Sequence, residues 1–317
     1  MPTTSSLISP KPSIAPSPTP LNADRRLGAL MLATVVLAWG ITWPVNKMLL
    51  ESLPPLWMSA LRSAIGAVAL LVLSLALGAL VLPRRADVPV LLSITLLHMV
   101  GFVVLTAYGL QLVPTGRSVV LAYTTPLWVA PGARLFLGEP LTGRRIMGVI
   151  VGLLGLVVLF NPLAFDWGDG RAVLGNVAIL AAALLWAASI VHVRGHRWHA
   201  TPFALLPWEM LLAALILIPL AVLFEAPPQV AWDARLTMLL LYSSLPGSAL
   251  AYWAVATAGR HLPAVTTSLG LLATPVVSLV VATLWLGEAP TASLMVAVVL
   301  ILGGVAIGAT GDRTRLA

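Results

Sequence analysis

Residues Pro114 to Glu139 read PTGRSVVLAYTTPLWVAPGARLFLGE, and shifting the chain by 149 positions lays them without a gap on Pro263 to Glu288, PAVTTSLGLLATPVVSLVVATLWLGE. Eight of the 26 positions are identical, among them the starting proline, the pairs Thr125-Pro126 and Thr274-Pro275, and a closing Leu-Gly-Glu that ends in Glu139 and Glu288. Each copy is a long apolar segment with a proline near its middle. Proline has no N–H to give the preceding turn, so each copy reads as a broken or kinked membrane helix. An internal repeat of this size sets the architecture of the whole chain.

The composition agrees with a membrane setting. Of 317 residues, 59% are hydrophobic and only 9% charged, at a mean hydropathy of +1.00, whereas a soluble domain carries about 25% charged residues. Cysteine is absent, which excludes disulfides, thiolate metal sites and a cysteine nucleophile. The net charge of +7 need not mean nucleic acid, because a basic membrane protein concentrates Lys and Arg in its cytoplasmic loops.

Ten apolar segments, each near the roughly 20 residues that cross a bilayer, follow one another at 27–50, 56–82, 88–112, 115–137, 143–160, 172–193, 202–224, 235–258, 262–286 and 291–309. The Pro-, Ser- and Thr-rich residues 1–24 have the composition of a disordered tail. Residues 161–171 read as a linker and 311–317 as a second tail. If these spans alternate in direction, the loops on one side carry 13 of the 18 Lys and Arg residues, the loops on the other side carry Lys47, Arg117, Arg171 and Arg235, and Arg62 lies within a span. By the positive-inside rule both termini are cytoplasmic.

The repeat reaches well beyond the opening stretch. Pro55 matches Pro202 and Trp39 matches Trp186 at an offset of 147, and Ala107-Tyr108 matches Ala251-Tyr252 at 144. Residues 25–160 therefore correspond to 172–310, five spans each. Five is odd, so the second unit enters the membrane inverted. The expected fold is an all-α polytopic membrane protein, ten transmembrane helices as two inverted five-helix repeats around a central cavity. Such repeats are a device of secondary transporters, whose halves exchange inward-open and outward-open shapes about a midplane site.

Paired five-helix units, Trp39-Gly40 in span 1, Arg62 in span 2, mid-span prolines in spans 4 and 9, and a Gly-Glu closing each: in these features the chain resembles the EamA-type exporters of the drug/metabolite transporter superfamily. Within that superfamily it is most similar to the bacterial aromatic amino acid exporters. The resemblance implies an inner-membrane exporter without cofactors, with spans 1, 3, 4, 6, 8 and 9 lining the cavity. It also makes Pro126, Pro275, Glu139 and Glu288 framework positions.

The candidate cavity residues are the paired or mid-span aromatics Trp39, His98, Tyr108, Tyr123, Trp128, Trp186, Tyr242 and Tyr252. Their faces would stack on a planar or apolar substrate while their NH and OH groups hold its polar end. Pro126 and Pro275 leave the carbonyls of Ala122 and Leu271 without helical partners. Those carbonyls either accept from a substrate ammonium in a wet cavity, or the prolines merely bend the helices as hinges and the Thr124 or Thr125 hydroxyls satisfy the backbone. His98, Glu209 and Arg62 are intramembrane ionisable groups with a possible ion or proton role, and Arg62 also fits a structural side chain snorkelling to the interface. Glu139 and Glu288 are expected to cap the spans that follow them, 5 and 10. His192, His196 and His199 have metal-ligand spacing but lie in a loop beside Arg194 and Arg197, so no metal is expected. Gly148-x3-Gly152 and Gly304-x3-Gly308 permit close helix approach, within one chain or between two copies.

No GxxxxGK[ST], HExxH or GxSxG stretch occurs, which leaves ATP-driven pumping and common hydrolytic chemistry without local machinery. The reading is a secondary transporter exporting small neutral or zwitterionic compounds, aromatic amino acids foremost. Its partners are the substrate and the lipid bilayer, with no nucleic acid. The alternatives are a broad-specificity drug or metabolite exporter and, from other classes, a membrane enzyme or a channel.

Overall fold

The computed structural model describes residues 21–160, 167–230, 232–262 and 264–310. The expected N-terminal tail (to residue 20), residues 161–166 of the linker and the C-terminal tail lie outside them. Every described element is helical. In chain order they are α1 (Leu21–Leu49), α2 (Pro55–Ala76), α3 (Arg85–Leu112), α4 (Thr115–Ala122), α5 (Thr125–Leu137), α6 (Gly143–Phe160), α7 (Gly170–Gly195), α8 (Pro202–Phe224), α9 (Ala234–His261), α10 (Ala264–Leu271), α11 (Ala273–Leu286) and α12 (Ala292–Thr310). Several boundaries move from expectation: α2 ends at Ala76, short of the expected residue 82. Helix α1 begins inside the stretch read as a tail, and α7 begins at Gly170 because the Asp169 carboxylate accepts from the backbone N–H groups of Arg171 and Ala172 at 3.0 and 3.1 Å.

Eight helical stretches are long and apolar enough to cross a membrane among the described residues. The first copy of the opening repeat is not one of them, because its break at Tyr123 and Thr124 divides it into α4 and α5, neither long enough alone. The outer surface is apolar: Leu135, Phe136 and Val299 are 78%, 80% and 68% exposed. Side chains of this kind face lipid rather than water.

The two Leu-Gly-Glu endings have the same cause and the same shape. Gly138 and Gly287 both take a left-handed backbone with φ 67°, which glycine alone adopts without steric cost, and so terminate α5 and α11. Just upstream, the break before Pro126 is satisfied from within. The Thr125 hydroxyl donates to the Ala122 carbonyl at 2.8 Å, and the Thr124 hydroxyl to Leu121 at 2.7 Å. Pro126 itself is exposed. Of the two readings of this carbonyl, the local one describes the molecule.

Equivalent helices of the two halves run against each other. A Cβ on Gly148 would meet the backbone of Gly304 and Gly308; one on Gly304 would meet Gly148 O at 2.5 Å and Gly152 N at 2.6 Å; one on Gly155 would meet Ile301 N at 2.9 Å. Positions rise along α6 as they fall along α12, so the pair is antiparallel, and the glycine motifs join the two halves of one chain. The start of α2 likewise meets the end of α8, where Glu225 accepts from the N–H groups of Leu56 and Trp57 at 3.0 and 3.1 Å.

Glu288 corrects an expectation. It does not cap α12; its carboxylate accepts from Thr115 N at 2.9 Å and Gly116 N at 3.1 Å, the first turn of α4 in the other half. The left-handed turn at Gly287 directs the chain sideways, and the acid meets the positive end of a neighbouring helix instead of its own successor. Glu139, after the equivalent Gly138, pairs with Arg145 at 3.2 Å and Arg194 at 2.7 Å. Glu288→Ala is expected to destabilise the protein by about 1–2 kcal/mol and Glu288→Gln by less, read as the melting temperature in detergent. Equal melting temperatures for Glu288→Ala and the parent would refute the cap.

Candidate functional site

Helix α1 supplies the axis of the site. It packs along α9 and α11, and the approach to α11 needs glycine: a Cβ on Gly40 would meet Val277 Cγ1 at 2.5 Å. On its other side α1 turns Trp39, Thr42, Trp43 and Asn46 toward a cavity. Opposite them stand His98, Phe102 and Thr106 of α3, Tyr123 at the break after α4, Trp186 of α7 and Tyr252 of α9, with Met58 and Arg62 of α2 closing one wall.

Trp186 is the hub of these rings. His98 stacks on it with centroids 5.1 Å apart and planes 11° from parallel. Phe102, Tyr123 and Trp39 meet it tilted or edge-on at 5.1, 6.1 and 6.4 Å. Tyr252 closes the ring against Trp39 at 5.7 Å and His98 at 5.6 Å. Offset and edge-on contacts at these distances are the favoured geometry of aromatic pairs. The backbone contributes too: residues 94–102 of α3 and 245–250 of α9 are π-helical, a widening often found at functional sites. His98 sits in the first of them.

Of the eight aromatics singled out in the sequence, Trp39, His98, Tyr123, Trp186 and Tyr252 line this cavity. The other three lie outside its lining, each for a local reason. The Tyr108 hydroxyl donates to Glu225 Oε1 at 2.8 Å on an exposed face of α3. The Trp128 indole N–H donates back one turn to Thr124 Oγ1 at 3.1 Å. Tyr242 packs with Val45, Leu236 and Leu240, and its hydroxyl reaches Ala38 O at 3.3 Å. Span 9 supplies no lining residue among those described, while span 2 supplies Met58 and Arg62. Asn46 also lines the cavity, though its only signal in the sequence is polarity in an apolar span, and Glu225 is hidden in the sequence by its place at a helix end.

The ionisable groups separate. Arg62 reaches the cavity, and its Nε donates to Ser248 Oγ at 2.9 Å. Glu209 is 4% exposed on α8, outside the lining. Asp87, fully buried at the start of α3, gathers His196 Nε2 at 3.1 Å, His199 Nδ1 at 3.4 Å and the backbone N–H groups of His199 and Ala200 at 3.0 and 2.9 Å. These three side chains could hold a metal ion by distance, but the Asp87 oxygens are already engaged by protein donors, and the arrangement is a clasp between α3 and the segment after α7. His192 takes no part in it; its ring lies 6.4 Å from that of His196.

An aromatic-walled cavity among helices with an apolar outer surface is a setting in which membrane transporters hold small molecules. The chain belongs to the EamA-like transporter family, which it matches over residues 26–161 and 173–309. It is a membrane transporter of this family. It is 28% identical to "Uncharacterized transporter YoaV" of Bacillus subtilis (strain 168), over 87% of this chain and 94% of that one. It is likewise 28% identical to the "Probable amino-acid metabolite efflux pump" of Escherichia coli (strain K12), over 93% and 98%. A solved crystal structure shares the fold at a TM-score of 0.64 and 24% identity, covering 88% of this chain and 95% of the other.

Proposed function

We propose that the protein is a bacterial inner-membrane secondary exporter of aromatic or amphiphilic amino acids, working by alternating access. The chain crosses ten times, as two five-helix units inserted in opposite directions, with both termini cytoplasmic. The antiparallel pairing of α6 with α12 and of α2 with α8, and the loop charge asymmetry, support this topology. Thr125-Pro126 and Thr274-Pro275 act as its hinges.

One observation carries the substrate class: the ring of Trp39, His98, Phe102, Tyr123, Trp186 and Tyr252 around one cavity. Such a wall offers faces for stacking and NH and OH groups for orientation. The efflux pump named above and a "Probable terminal-alkyne amino-acid exporter" of Streptantibioticus cattleyicolor, 29% identical over 86% of this chain, favour amino-acid cargo over lipids or nucleotides. Purified protein in proteoliposomes is expected to take up labelled phenylalanine, tyrosine or tryptophan, with mutual competition, and a pH gradient applied across the membrane reads any proton coupling through His98 or Glu209. Aromatic amino acids that neither enter nor compete would sink the assignment.

A further inference from the structure

We propose that Arg62 is the carboxylate-binding group of the cavity, so that the transported molecule carries a carboxylate that pairs with this guanidinium; the inference rests on the amino-acid reading above and names which end of the molecule is held where. Arginine on the second span would ordinarily run its stem to the interface and leave its head in water. Here the head turns inward and lines the cavity with His98, Asn46 and Tyr252.

Its orientation is built. Nε donates to Ser248 Oγ at 2.9 Å; that hydroxyl, on the π-helical stretch of α9, donates in turn to Ser243 O at 2.8 Å, and Ser248 is fully buried. A guanidinium is planar, so fixing Nε fixes the plane of the Nη1–Nη2 fork, the geometry that grips a carboxylate with two parallel hydrogen bonds. Among the described residues the fork makes no hydrogen bond and Arg62 enters no ion pair. The cavity lining includes no Asp or Glu. A fixed cation inside an apolar bundle, without a counter-ion in the cavity it faces, has the charge and donors to receive an anionic group. Asn46 lines the same cavity, and its Oδ1 accepts from Ser243 Oγ at 2.7 Å, which leaves its amide N–H groups as further donors. The aromatic rings of the same lining then meet the side chain and ammonium of the bound molecule.

The test compares each acid with its own amide. Binding of phenylalanine and phenylalaninamide, and of leucine and leucinamide, is measured by ligand-induced thermal stabilisation of purified protein and by competition in proteoliposomes. The parent is expected to prefer acid to amide by roughly tenfold to a hundredfold. In Arg62→Gln the ratio falls to near one, chiefly through weaker binding of the acid; in Arg62→Lys, which keeps charge but loses the fork, it falls severalfold. The Ser248→Ala variant, which frees Nε, lowers the ratio without removing it. A parent that binds amide and acid equally, or an Arg62→Gln protein that keeps the ratio, overturns the inference. If leucine replaces phenylalanine as the better ligand, the aromatic reading fails and the acid-to-amide ratio still decides Arg62. If neither amino acid binds, phenylacetate against phenylacetamide is the deciding pair, and no preference there also overturns it.

Discussion

Gly304→Val is expected to abolish recovery of a folded, monodisperse protein. A Cβ at Gly304 would lie 2.5 Å from Gly148 O and 2.6 Å from Gly152 N, and both are backbone atoms of α6. A flexible side chain could rotate away, but here the whole of α6 must move. Overpacking against side chains costs about 1–3 kcal/mol; against backbone the cost is at the top of that range or above it, and valine adds two further methyl groups. Gly308, four residues on in the same motif, has open space around its would-be Cβ, so Gly308→Ala is expected to be tolerated. The measurement is the size-exclusion profile and melting temperature of both variants in detergent. A Gly304→Val protein that melts like the parent but changes its oligomeric state would mean that the motif faces a second copy.

Trp186→Ala is expected to produce the largest transport defect without loss of fold. Trp186 is half-buried and touches His98, Phe102, Tyr123 and Trp39 by ring contacts of 5.1 to 6.4 Å. Aromatic pairs contribute about 0.5–1.5 kcal/mol each beyond area burial, so removal of the hub lets several rings turn at once. Loss of a stacking face and of its neighbours' alignment should lower kcat/KM for aromatic substrates by roughly tenfold to a hundredfold. Trp186→Phe keeps a ring and is expected to restore most of it. Transport by Trp186→Ala at the parent's rate and KM would place the substrate elsewhere.

Much of this molecule is legible in its residues one at a time. Lipid selects apolar segments by composition, so segment positions follow from hydropathy. The endings at Gly138 and Gly287 follow from Leu-Gly-Glu, because only glycine enters the left-handed turn freely. Trp39, His98, Tyr123, Trp186 and Tyr252 could be singled out because aromatic and polar residues are conspicuous in the middle of an apolar span. The local satisfaction of the Ala122 carbonyl is likewise a matter of three adjacent residues.

Rotation about each helix axis was decided by the tertiary structure. In a soluble protein the apolar stripe tells which face points inward; in a membrane protein both the interior and the surroundings are apolar, and that signal fades. For this reason Tyr108, Trp128 and Tyr242 could not be told from the five aromatics that meet at the cavity, and Arg62 could not be told from a side chain bound for the interface. Contacts between halves are invisible for a second reason. The pairing of Glu288 with α4, of Glu225 with α2, and of Asp87 with His196 and His199 each joins residues more than 100 positions apart, and no local pattern records which helix end an acid will meet. The amino-acid sequence by itself determined the helices, their breaks and their duplication; packing alone decided which side chains face the cavity.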